Sequence, residues 1–173
     1  MKIVYNNKWL KVLENENPDK STYYIIYEQN KVAILPYHIN EEGKPMVVFL
    51  KEPLKNWGKK SEYTCVTGTI EKNEEHFVAA KRELEEETGI KIEDDDKWSY
   101  IGKFNKSKSS TSHVHCYLVD IDDAQPIVRR TDGSYFEKNT KVMYTSSVVQ
   151  LLTNDIILQF MILNLNLKIK YDA

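Results

Sequence analysis

The chain has 173 residues, with 24 Lys and Arg against 26 Asp and Glu, for a formal net charge of −2. That balance removes any global electrostatic case for a nucleic-acid polymer as partner, and the length suits one domain, residues 1–173, with a core of its own. The most apolar stretch, Ile156 to Leu167, is interrupted by Gln159, Asn164 and Asn166 and is too short to span a bilayer, so no membrane partner is expected. From the N-terminus, MKIVYNNKWL lacks the long apolar region of a signal peptide. Ile3 to Tyr5, Trp9 to Leu13 and Tyr23 to Tyr27 are short β-rich runs around a polar turn at Asn15 to Lys20. Val32 to Ile39 and Met46 to Leu50, joined by Glu41-Glu-Gly-Lys-Pro, predict a hairpin, with Pro36 marking a bulge or an edge. After a polar loop at 52–60, Glu62 to Val66 reads as a strand. A helix is expected from a cap at Asn73, with Phe77, Ala80 and Leu84 facing the core and Gly89 ending it in the left-handed conformation. The acidic run Glu93 to Asp96 reads as a solvated loop. Strands resume at Trp98 to Phe104 and His113 to Asp120, flanking a Ser/Lys-rich loop at 105–112. A polar segment, 122–139, precedes a short helix from Ser146/Ser147 to Leu152 and a final amphipathic helix starting at Asn154 or Asp155. Cys65 and Cys116 form no CxxC pair and read as buried reduced thiols of a cytoplasmic protein. The order of elements predicts an α+β sandwich: a mixed sheet with helices on its faces, plus N-terminal antiparallel strands at 1–30.

Chemistry concentrates in residues 68–90. Glu83, Glu86 and Glu87 stand at i, i+3 and i+4, so a helix stacks three carboxylates on one face, where they repel. A bare charge run of this kind is as often a solvated face. Three hard oxygen donors on one rigid element also suit Mg²⁺ or Mn²⁺, which cancels the repulsion. Elsewhere the signals are weaker. His113 and His115 alternate along one strand and share a face, where they touch phosphate or base, or serve as polar residues on a half-exposed sheet. Lys106 and Lys108 lie in a loop where they meet phosphate or solvent. Trp57, Tyr100 and Phe104 are aromatics that stack a base or pack in the core.

Gly68, Glu74, Arg82, Glu83, Glu86, Glu87 and Gly89, with Leu84 and Ile90 at apolar positions, fill the pattern G-x5-E-x7-R-E-U-x-E-E-x-G-U, where U is bulky and apolar. In this the chain resembles the Nudix hydrolases. The resemblance implies an α/β/α sandwich and Mg²⁺-dependent hydrolysis of a nucleoside diphosphate linked to another group. It assigns Glu83, Glu86 and Glu87 to the metal, with a backbone carbonyl at Gly68 or Thr67 as a further ligand and Glu83 also as a candidate base. Arg82 is implied to hold the carboxylates in register, Glu74 to bond within the loop and helix, and Gly68 to allow a strand-to-loop turn. Residues 1–30 resemble the extra strands of the ADP-ribose pyrophosphatase group, which implies a homodimer through them and ADP-ribose or a nucleotide sugar as the small-molecule substrate. The chain departs from the family at Thr67, where many members have Gly, and in the loop 105–112, which holds no acid; Glu137, in a later loop, is the candidate replacement base. The stretch Phe104-Asn105-Lys106 also lacks the Pro common in ADP-ribose enzymes and the Tyr of dinucleoside polyphosphate enzymes. A nucleoside triphosphate pyrophosphatase and a non-catalytic nucleotide-binding domain are the alternatives.

Overall fold

A computed structural model describes residues 1–53, 61–122, 139–145 and 153–172. The Tyr-, Ile- and Val-rich N-terminal segments form β1 (Lys2–Asn6), β2 (Leu10–Glu16) and β3 (Thr22–Glu28), an antiparallel three-stranded sheet in that order. The β2–β3 turn closes around Asn17 and Ser21, with Lys20 in the left-handed region at φ 67°. One edge of this sheet is β1, exposed along its whole length. At the β3 edge, Ile26 receives a bond from the Thr111 N–H at 2.9 Å and donates to the Ser109 carbonyl at 2.7 Å, so the loop 106–112 extends the sheet.

The second sheet is mixed. Its strands are β4 (Lys31–Ile39), β5 (Pro45–Glu52), β6 (Glu62–Thr64), β7 (Val66–Thr69), β8 (Trp98–Asn105), β9 (His113–Asp120) and β10 (Lys141–Thr145), in the order β10-β5-β4-β9-β8. The predicted hairpin is present, but β4 and β5 pair only from Tyr37 to Ile39 before they splay apart. Two short strands fill the opening: β6 pairs with β5, and β7 pairs with β4. The single strand expected over 62–66 is therefore two, broken at Cys65, with different partners. Pro36 is on no edge. It lies buried in the central strand, where the neighbour of β4 changes from β7 to β5, and there its missing N–H interrupts no continuous ladder.

Alternation along the strands serves two cores. Ala33, Leu35, Cys116 and Leu118 face Leu158, Met161 and Leu165 of α2 (Ile156–Asp172). Val32, Ile34, Tyr117 and Val119 face Ala79, Ala80 and Leu84 of α1 (His76–Thr88). The arrangement is the expected α/β/α sandwich, with each buried aliphatic side chain contributing about 1.5–3 kcal/mol. Both cysteines are buried and free. As expected, α2 starts after Asp155, whose carboxylate accepts the Ile157 N–H at 2.8 Å. It is not amphipathic, however: Ile156, Leu163, Leu167 and Tyr171 are exposed on it. Among the described residues no helix is long and apolar enough to cross a membrane. The expected helix at 146–152, the aromatic Trp57 and the loop containing Glu137 lie outside the described residues.

Candidate functional site

The segment between β7 and α1 is built by local chemistry. Asn73 sits at φ 68°, a left-handed conformation that Asn tolerates, so it turns the chain instead of capping the helix. The helix starts three residues later, at His76, with Glu75 at the cap position making no side-chain cap bond. Glu74 is instead a loop fastener: its Oε2 accepts the Glu71 N–H at 2.8 Å. Gly89, at φ 75°, ends α1 as expected and donates its N–H to the Glu85 carbonyl.

Arg82 is the hub of the site. Its Nε and Nη2 donate to the two oxygens of Glu74 at 2.9 and 3.0 Å, and Nη2 also reaches the Thr69 carbonyl at 3.0 Å. Its Nη1 donates to Glu83 at 2.8 Å and to Glu86 at 2.9 Å. One cation thus ties β7, the loop and two turns of α1 together, and the carboxylates around it hold its charge more firmly than usual. Arg82 touches three of the four glutamates at once, as a register-holding residue would. Because lysine cannot reproduce a planar five-donor fork, we expect Arg82→Lys to lower stability by about 2 kcal/mol, a fall in Tm of roughly 6 °C in thermal denaturation. An unchanged Tm would show that the fork is dispensable.

Glu83 is the buried member of the acidic face, 9 % exposed, and its carboxylate lies directly over Gly68. A Cβ on residue 68 would stand 1.7 Å from the Glu83 Cδ. Gly68 is therefore needed for space. It lies within β7, opposite Val32, and makes no strand-to-loop turn. Burial is the main force raising the proton affinity of Glu83, partly offset by Arg82; the charges of Glu86 and Glu74 add to the rise. Glu74 goes the other way, held low first by Arg82. Glu86 is exposed and Glu87 half-buried.

Among the described residues no three His, Cys, Asp or Glu side chains converge on a common point, and Arg82 supplies the positive charge between Glu83 and Glu86. The donor set nevertheless suits a hard divalent cation: carboxylate oxygens at i, i+3 and i+4, one of them seated in a cradle that any side chain at 68 would fill.

The other sequence candidates fall in separate places. Lys106 is paired with Glu28 of β3 at 2.8 Å, where Ser110 also donates to Glu28 at 3.0 Å; it fastens the loop to the N-terminal sheet. Lys108 is exposed at the tip of that loop. His113 donates its backbone N–H to the Asn30 side chain at 2.9 Å. His115 is opposite Val32, which is opposite Gly68, so it lies two strands from the glycine, roughly 10 Å on the same face. Phe104 packs edge-on against Phe160 of α2 at 4.7 Å and belongs to the other face. His76, unnoticed in the sequence, stacks on His115 at 4.1 Å between ring centroids; Tyr100 and Tyr117 complete the group.

A family model described as NUDIX domain matches residues 29–145. No curated protein matches the sequence. The fold is similar to that of a solved structure described as the crystal structure of ADP compounds hydrolase, with a TM-score of 0.72 at 16% identity, covering 99% of this chain and 92% of the other.

Proposed function

We propose that this chain, which belongs to the Nudix domain family and is a pyrophosphohydrolase, cleaves the pyrophosphate bond of ADP-ribose or a nucleotide sugar in the presence of Mg²⁺. The observation that carries the proposal is the complete acidic face of α1, with Glu83 seated over Gly68 and aligned by Arg82. In this reading Glu83, Glu86 and Glu87, with a carbonyl of Thr67 or Gly68, hold the metal. A bound Mg²⁺ neutralises the pyrophosphate and acidifies water; Mn²⁺ serves equally in charge and donor preference. The chain's own part is to fix the carboxylates. Glu86, bonded here to Arg82, would turn to the metal when one is bound, while Glu74 would keep the guanidinium in place. Glu83, whose proton affinity burial raises, is the candidate to take the proton of the attacking water. Glu137 is the alternative base.

Substrate choice rests on the N-terminal sheet. The similar fold extends over nearly the whole of this chain, β1 to β3 included, and belongs to a protein described as an ADP compounds hydrolase, which supports an ADP-linked substrate. The exposed β1, with Ile3, Val4 and Tyr5 uncovered, supports a homodimer through this sheet; light scattering at micromolar concentration tests it, and a monomer would contradict it. The activity is tested by product analysis on a panel of ADP-ribose, nucleotide sugars, dinucleoside polyphosphates and nucleoside triphosphates with Mg²⁺. AMP and ribose 5-phosphate from ADP-ribose are the expected products. Preferential release of inorganic pyrophosphate from triphosphates would replace this substrate assignment with a triphosphate pyrophosphatase.

A further inference from the structure

The first turn of α1 lacks the usual side-chain anchors of a helix start. Glu75, at the cap position, makes no side-chain cap bond, and the first turn carries no acid. Arg82 ties the preceding loop to the second turn through Glu74, and the ring of the first helical residue ties the first turn to the sheet. His76 lies nearly parallel to His115, with centroids 4.1 Å apart and planes at 20°, and stacks on Tyr100 from its other contacts at 5.3 Å. Its Nδ1 hydrogen-bonds the Tyr117 hydroxyl, and the Tyr100 hydroxyl bonds His115 Nδ1 at 3.0 Å. Two imidazoles and two phenols thus join α1 to β8 and β9. We propose that the His76–His115 stack is a positioning latch that docks the first turn of α1, and with it the glutamates two turns further on, only while the two rings are not both charged.

The reasoning is electrostatic. Rings 4.1 Å apart leave no room for a counterion between two imidazoliums, and His115 is only 8 % exposed, so water screens it poorly. The charges bearing on His115 are cationic throughout: His76 of α1, Lys103 of β8 and His113 of β9. Glu75 bears on Tyr117, whose proton burial holds more firmly than usual, so the phenols stay neutral partners. The positive end of α1 adds to the same bias. Burial first, then these cations, holds His115 down to about 4 from its ordinary 6.5. The folded chain therefore binds fewer protons than the unfolded chain between those values, and it loses stability as pH falls through that window.

The latch rests on the reading of the α1 glutamates as metal ligands only for its consequence, so the test has two arms. In the first, NMR of the full chain follows the His115 ring and the amides of the first turn of α1 from about pH 8 to pH 3. His115 should titrate well below 6.5 with those amides moving in step, and in His76→Phe its titration should move upward. A His115 titrating at 6.5, or amides that ignore it, would overturn the latch. In the second arm, calorimetry at neutral pH measures Mg²⁺ affinity. His115→Phe, which keeps an uncharged ring, should bind like the wild type, whereas His76→Lys combined with His115→Lys, which sets two fixed charges in place of the two rings, should bind about tenfold more weakly. Equal affinities would overturn the latch. Absence of Mg²⁺ binding in the wild type would refute the metal reading instead, leaving the rings to decide.

Discussion

Replacing Glu86 with Gln should lower kcat for ADP-ribose by about 10³-fold while leaving Tm within roughly 2 °C of the wild type. The two expectations separate chemistry from folding. Glu86 is exposed, so it contributes little to the core, and its one described partner is Arg82 at 2.9 Å. Arg82 keeps Glu74 on two atoms and the Thr69 carbonyl when Glu86 is gone, so the frame of the site stands. What the substitution removes is a negative charge from the face on which a divalent cation would sit, and an amide is a poor replacement for a carboxylate toward a hard ion. Steady-state kinetics beside thermal denaturation makes the comparison. A variant with wild-type kcat would mean that the acidic face is a solvated helix surface after all.

Gly68→Ala should be severely damaging for a change of one methyl group. The added Cβ would meet the Glu83 Cδ at 1.7 Å and its Oε1 at 2.1 Å, far inside contact distance. Relief requires Glu83 to leave its seat, because β7 is pinned to β4 from Ile34 to Lys31 on its other side. The displaced carboxylate breaks its bond with Arg82 and moves a proposed metal ligand out of place, for which a loss of about 10²-fold in kcat is expected. Crowding adds about 1–3 kcal/mol of lost stability. Shortening the clashing side chain supplies the control: Gly68→Ala combined with Glu83→Asp should recover Tm without recovering kcat. If Gly68→Ala alone retained full activity, the seat of Glu83 over residue 68 would have no functional weight.

Local signals carried the box and the layers. Seven spaced residues identified the acidic face, Gly89 ended its helix where a left-handed residue was needed, and Phe77, Ala80 and Leu84 recurred on the buried side. The order of strands and helices pointed to a mixed sheet with helices on its faces. Features depending on partners distant in sequence were not legible. Lys106 finds Glu28 and His76 finds His115, and no spacing within either segment announces the other. Asn73 has the right chemistry for a cap, but it also tolerates the left-handed conformation, and the loop used the second property. Gly68 suggested a turn because its neighbour in space, Glu83, lies fifteen residues on. The outer face of α2 carries Leu163 and Leu167 where an amphipathic helix would carry charge, so periodicity misjudged it.

The claim on which the account turns is that one face of α1 holds a divalent cation. Mn²⁺ titration followed by electron paramagnetic resonance tests it without choosing a substrate. The account predicts bound Mn²⁺ in the wild type, displaced by Mg²⁺, and weakened at least tenfold by Glu83→Gln or Glu86→Gln. No bound ion in the wild type, or equal binding in both variants, would contradict it.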